Sequence, residues 1–384
     1  MMVRWLLCIV VLAMAPAFAA PASADSVTYQ IDAGHSGRAT LEGFSGKLAH
    51  LWTRSLGGGI SYPVIADGQV YVTVAAGSAT VLYGLDPVSG NTVWQAAIPG
   101  QLPVSSPAYD DGQLFVVNLS GLVEAFDAGT GAPHWSTQLP REWIFPWPPV
   151  AAGGMVFIGG QGSAGQIYAV KEKNGGIAWQ SFVNDAGTPV AYGKLVAIAS
   201  PCEQYYGFAA RSGEWLWSDE SLSSSGGGFT PVYYDGQLFV RDDCFGFENQ
   251  VLNAKTGVTR GSFKAVLAPS FFTLGGSDYI VALADGKLSA TAVGSASPLW
   301  IFRGDKQLST APLVVNTYVV EGSASGKLYV LNEADGTKVA SYDVGAAIEA
   351  PQEGGYDQPL TGLGAADGVL IVPAGSQLVA FAPR

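Results

Sequence analysis

Charged side chains are scarce in this chain of 384 residues: Asp, Glu, Lys and Arg make up 13% of it, and only 19 residues are basic. No Lys/Arg run of the kind that neutralises phosphates occurs, which excludes nucleic acid as a partner. Cysteine is rarer still, with 3 residues, none adjacent to another. No Cys-x-x-Cys-His haem attachment is written. The histidines, His35, His50 and His134, show no metal-ligand spacing. His35-Ser36 is not accompanied by the Gly-x-Ser-x-Gly of a nucleophile elbow, which argues against hydrolase chemistry. No loop alternates carboxylates as an EF-hand does, so no metal site is expected. A sustained apolar period of three to four residues is missing beyond the N-terminus, and helices are not expected there.

What the chain has in quantity is glycine, 50 residues, together with Val, Tyr, Phe and Trp, a composition suited to short strands and tight turns. The N-terminus reads as an export signal over residues 1–24. Arg4 is its positive start, "WLLCIVVLAMA" its apolar centre, and "ASA" before Asp25 its small-residue cleavage site. The apolar run is too short to span a bilayer, and Cys8 stands in the wrong setting for a lipobox. A soluble periplasmic or secreted protein is expected. Without residues 1–24 the chain keeps 18 basic against 31 acidic residues. Cys202 and Cys244 are then the two remaining cysteines, and an even pair in an exported chain favours a disulfide.

A period governs the rest. The stretch "AFDAGTGAPHW" ends at Trp135, and the same phase recurs at Trp94, Trp179, Trp217, Gly261, Trp300 and Ala340, in steps of 38 to 44 residues. Gly turns keep the same beat at Asp67-Gly68, Asp111-Gly112, Gly153-Gly154, Tyr192-Gly193 and Asp235-Gly236. Asp-Gly between alternating runs signals a two-residue hairpin. Each unit of about 40 residues reads as four antiparallel strands, which is a β-propeller blade. Seven units are complete. The last, ending at Arg384, supplies three strands, and the missing outer strand is "LAHLWTRSLGG", with Trp52 one period before Trp94. The predicted fold is all-β: an eight-bladed propeller over 48–384, closed by an N-terminal strand, after an extension over 25–47.

The repeat resembles the pyrroloquinoline-quinone (PQQ) type propeller repeat, whose docking motif is Ala-x-Asp-x-x-Thr-Gly-x-x-x-Trp. Ala125, Asp127, Thr130, Gly131 and Trp135 match every fixed position, and Asp86, Ser89, Gly90 and Trp94 match with Gly at the first. The resemblance covers roughly 50–384 and implies that Trp52, Trp94, Trp135, Trp179, Trp217 and Trp300 dock neighbouring blades. It points in two directions. One is toward PQQ-dependent alcohol or sugar dehydrogenases, with PQQ and Ca²⁺ as cofactors; this chain lacks their vicinal cysteines and long pocket-building insertions. The other is toward BamB-like exported propellers, which bind proteins without catalysis; those are lipoproteins, and no lipobox is present here. The second direction is the one adopted: a non-catalytic scaffold with no cofactor and with a protein partner in the envelope or outside the cell. A glycan-binding propeller is the third reading.

Residues that the repeat phase does not explain are the candidates for a partner face. "LPREWIFPWPP" carries Arg141, Trp143, Phe145 and Trp147, "SPCEQYYG" carries Tyr205 and Tyr206, and "RDDCFGFEN" carries Arg241, Asp242 and Asp243. All fall in connectors expected on one face, where exposed aromatics beside an Arg suit recognition. The competing reading is that these aromatics cap the central channel. Cys202 and Cys244 follow equivalent strands in neighbouring blades, which is where a bridge is geometrically plausible.

Overall fold

The computed structural model describes residues 25–99, 103–162, 165–200, 204–220, 228–242, 249–353 and 359–384. Two-residue turns cut these into short strands. At Asp67-Gly68, Asp111-Gly112 and Asp235-Gly236 both turn residues have positive φ, between 44° and 75°, as the hairpin turn matched to strand twist requires. The fourth turn lies one residue further on than the dipeptide suggests. Tyr192 still pairs with Leu195, so Gly193 and Lys194 make that turn.

No helix occurs among the described residues, and the strands form eight antiparallel blades of four. In blade 1 they are Val64–Ala66, Gln69–Ala76, Ala79–Leu85 and Thr92–Ile98, running from the axis outward. Blades 2 to 7 repeat this order. Blade 8 takes Gly364–Ala366, Val369–Ala374 and Gln377–Pro383 from the C-terminus and Leu48–Ser55 from the N-terminus as its outer strand. In blades 1 to 7 a proline directly precedes the inner strand, from Pro63 to Pro312. That ladder start tolerates a residue without an N–H.

The tryptophans dock as the motif implies. The indole N–H of Trp52, Trp94, Trp135, Trp179, Trp217 and Trp300 each donates to a carbonyl of the next blade, at Pro87, Ala128, Glu172, Ala210, Ala254 and Glu333, over 2.6–3.0 Å. Each ring also lies on a glycine of that blade's turn: Gly90, Gly131, Gly175, Gly213, Gly257 or Gly336. A Cβ there would come within 2.3–2.6 Å of the indole. Within its own blade each Trp pairs with a small residue, Gly84, Ala125, Ala169, Gly207, Ala290 or Ala380, beside a β-bulge. Two blades lack the Trp, and both of its counterparts change with it. Gly261 and Ala340 pair with Val251 and Val330. Ala296 stands where blade 6 would carry the receiving glycine, and in blade 8 the outer strand comes from Leu48–Ser55, so no such turn joins it to the third strand. With no ring there, a larger cross-strand partner fits and the need for glycine in the next blade's turn disappears.

Candidate functional site

Both faces of every blade are covered by neighbours, so a recognition site has to lie on a rim of loops or on the axis. The axis is filled by the chain itself. Residues 26–39 run along the inner strands, and carbonyls of Ser26, Val27, Ala33, Gly34 and Gly37 accept from N–H groups of Ile65, Tyr109, Ala191, Tyr233 and Val314 over 2.7–2.9 Å. His35, which the sequence left without a role, is fully buried there. Its Nδ1 lies 2.7 Å from the Tyr29 carbonyl and its Nε2 2.9 Å from that of Pro189. Both partners are carbonyl oxygens, which only accept, so the ring is held as a donor.

Over this segment sits a cluster centred on Glu353, in the connector between blades 7 and 8. Its carboxylate accepts from Arg241 Nη2 at 2.6 Å and from the Thr230 N–H at 2.8 Å, and its backbone carbonyl accepts from Trp147 Nε1 at 2.8 Å. Arg241 also donates to the carbonyls of Thr230 and Val266 and lies 5.0 Å over the Phe229 ring. The Tyr29 hydroxyl donates to the other Glu353 oxygen at 3.4 Å. Burial, and then the Glu353 charge, hold that hydroxyl well above the usual tyrosine range, against the opposing pull of Arg241. Arg241 and Glu353 each have only 2% of the side chain exposed. Each is therefore costly to leave without the other.

The nine candidate residues thus divide. Trp147 and Arg241 meet at Glu353, on the axis. Phe145 is buried against Tyr168 and would be struck by a Cβ on Gly121 or Gly160. Tyr205 and Tyr206 belong to the third strand of blade 4, Gln204–Ala209, rather than to a loop. Strand alternation sends Tyr205 toward Leu238 and Val240 of blade 5 and Tyr206 toward Phe157 of blade 3, and both are core. Their expected exposure is therefore corrected: blade faces bury whatever alternates onto them. Asp242 is half-buried, its N–H donating to Asn249 Oδ1. Asp243, Cys202 and Cys244 lie outside the described residues. Arg141 is exposed at a φ of 76°.

Trp143 keeps the predicted exposure, at 61%. Its indole is 3.3 Å from where a Cβ on Gly162 would sit. One ring face therefore rests on the second-to-third-strand loop of blade 3. Glu353 was missed by the sequence reading, and no pattern in its long connector marks it.

Two features bear on a quinone cofactor. The axis is occupied by residues 26–39 and by Arg241, which is already committed to Glu353. A cleft of about 330 Å³ between blades 8 and 1 is lined by a single charged side chain, Glu349, and offers no cation to a polycarboxylate quinone. Neither place fits PQQ. Among the described residues no group of three His, Cys, Asp or Glu side chains could hold a metal ion, and no helix is long and apolar enough to cross a membrane.

The fold and its docking triads define an eight-bladed propeller built from PQQ-like repeats. The chain belongs to the family described as outer membrane protein assembly factor BamB, whose model matches residues 78–201 and 163–355. A relative of that name from Yersinia pestis is 24% identical over 300 residues, covering 76% of this chain and 66% of its own. Among solved structures, BamB from Moraxella catarrhalis superposes with a TM-score of 0.63 at 19% identity, over 88% of this chain and 100% of that one. A europium-containing methanol dehydrogenase superposes with a TM-score of 0.74 at 13% identity, over 94% of this chain and 98% of that one. These superpositions show the shared fold.

Proposed function

We propose that this protein is a non-catalytic scaffold of the bacterial cell envelope, exported by its N-terminal segment, that captures a protein partner through the connector face around Trp143. The observation that carries this reading is the state of Trp143, an indole 61% exposed yet backed by Gly162. A large aromatic held in one orientation loses little freedom on binding, which is how interface anchors act. Family membership supports a protein as partner: the relatives carry the name of an assembly factor for outer membrane proteins. The excess of 31 acidic over 19 basic residues favours a partner with a basic surface, whose capture slows as salt screens the attraction.

The test is capture of partners from the native envelope fraction by wild type and by Trp143→Ala. Loss of the same bands with the variant, at an unchanged urea midpoint, supports the reading. Equal capture refutes it. Reconstitution with PQQ and Ca²⁺, followed by dye reduction with alcohols and aldoses, tests the dehydrogenase alternative, and turnover would overturn the non-catalytic assignment.

A further inference from the structure

Inner strands of a closed ring have no sheet partner on the axis side, so their axis-facing N–H groups need another acceptor. Here the donors are the middle residues of the inner strands of blades 1, 2, 4, 5 and 7: Ile65, Tyr109, Ala191, Tyr233 and Val314. The acceptors are main-chain carbonyls of one segment that owes nothing to the blade repeat. Only main-chain atoms form these five bonds, so the wall recognises the backbone of a looped segment, which folds on itself as the N–H groups of Val27, Asp32 and His35 donate to the carbonyls of Ile31, Gln30 and Asp32. Side chains add register. Gln30 Nε2 reaches the carbonyls of Ala268 and Pro312, at 3.2 and 3.3 Å, which brings in blade 6. Gly37, at a φ of 65°, passes so close that a Cβ would lie 2.6 Å from the Ser270 Cβ. Arg38 and Ala39 then pair in parallel with Val314 and Val315 of blade 7. Gln30, Ile31 and His35 all have positive φ, at 54°, 79° and 57°. Such a conformation is unfavourable for a free peptide and persists where surroundings impose it.

We propose that the channel wall is a binding site for a looped polypeptide segment and that residues 26–39 are its resident ligand. The ligand is held by the wall itself rather than by its covalent link to the outer strand at Leu48–Ser55. Seated there, it ties six blades together across the ring, a role separate from the seam that closes blade 8. The site is independent of any partner bound at Trp143.

Glu42 and Gly43 are exposed, and nothing lies within 4 Å of where a Gly43 Cβ would be. A protease recognition sequence inserted between them allows the full chain to be cut after folding. The expected result is that the N-terminal fragment ending at Glu42 co-elutes with the ring in native gel filtration and leaves only in denaturant. In the same insertion background, Gly37→Ala should release the fragment on cutting. A labelled peptide spanning 25–41 should re-enter an emptied ring saturably, at least tenfold more tightly than its Gly37→Ala or scrambled counterparts. Loss of the wild-type fragment on the first native column, or equal binding of the scrambled peptide, would overturn the proposal.

Discussion

Gly131 provides a direct measure of what holds one blade to the next. It has a φ of 69°, and a Cβ there would lie 2.3 Å from Cε3 of Trp94. Gly131→Ala therefore carries two penalties. A left-handed backbone costs an L-residue roughly 1–2 kcal/mol, and forcing a methyl against a packed ring adds about 1–3 kcal/mol. Gly112 separates them, because it shares the left-handed backbone, at 75°, with nothing within 4 Å of its Cβ position. Gly112→Ala should lower the urea midpoint by the backbone part alone, and Gly131→Ala by both parts, at an unchanged slope. Trp94→Ala removes the ring and should cost roughly 3–5 kcal/mol. In that background Gly131→Ala should fall back to the Gly112→Ala value, a coupling of about 1–3 kcal/mol between two residues in adjacent blades. Equal effects of Gly131→Ala and Gly112→Ala in the parent would refute the docking explanation for the conserved turn geometry along the repeat.

Arg241→Met should destabilise by about 3–5 kcal/mol, since it strands the Glu353 carboxylate in the interior; adding Glu353→Gln should recover part of this, and no recovery would mean the pair is not the energetic unit. The Glu172 carboxyl is pushed up to about 8 from the ordinary 4.5, first by burial and then by Asp110 and Asp111. Its share of stability is full below pH 4.5 and lost as pH rises toward 8, so urea midpoints should fall across that window. Glu172→Gln should flatten the fall, and an unchanged slope would count against the shift. If Cys202 and Cys244 form the bridge expected from the sequence, protein lacking residues 1–24 and folded under oxidising conditions should show no free thiol by mass spectrometry.

Sequence alone determined the architecture, because the features that encode it are local and repeated. Asp-Gly turns need positive φ wherever they stand, and a phase recurring every 38 to 44 residues, occupied by Trp in most units, reads as one docking position per blade. Even the two blades without Trp are legible in hindsight. Val251 and Val330 stand ten residues before the missing rings, where the other blades carry Gly or Ala. The seam between Trp52 and Ala380 followed from the same count. Burial of the off-phase aromatics was decided by tertiary structure. Trp143 and Trp147 are four residues apart in one connector, yet one is 61% exposed and the other 2%. The difference arises because the chain turns toward the axis between them, where Glu353, more than 200 residues away, accepts the Trp147 N–H. The Glu353–Arg241 pair and the seating of residues 26–39 in the channel have the same origin. Their partners come from distant blades and are brought together only when the ring closes, so no local pattern records them.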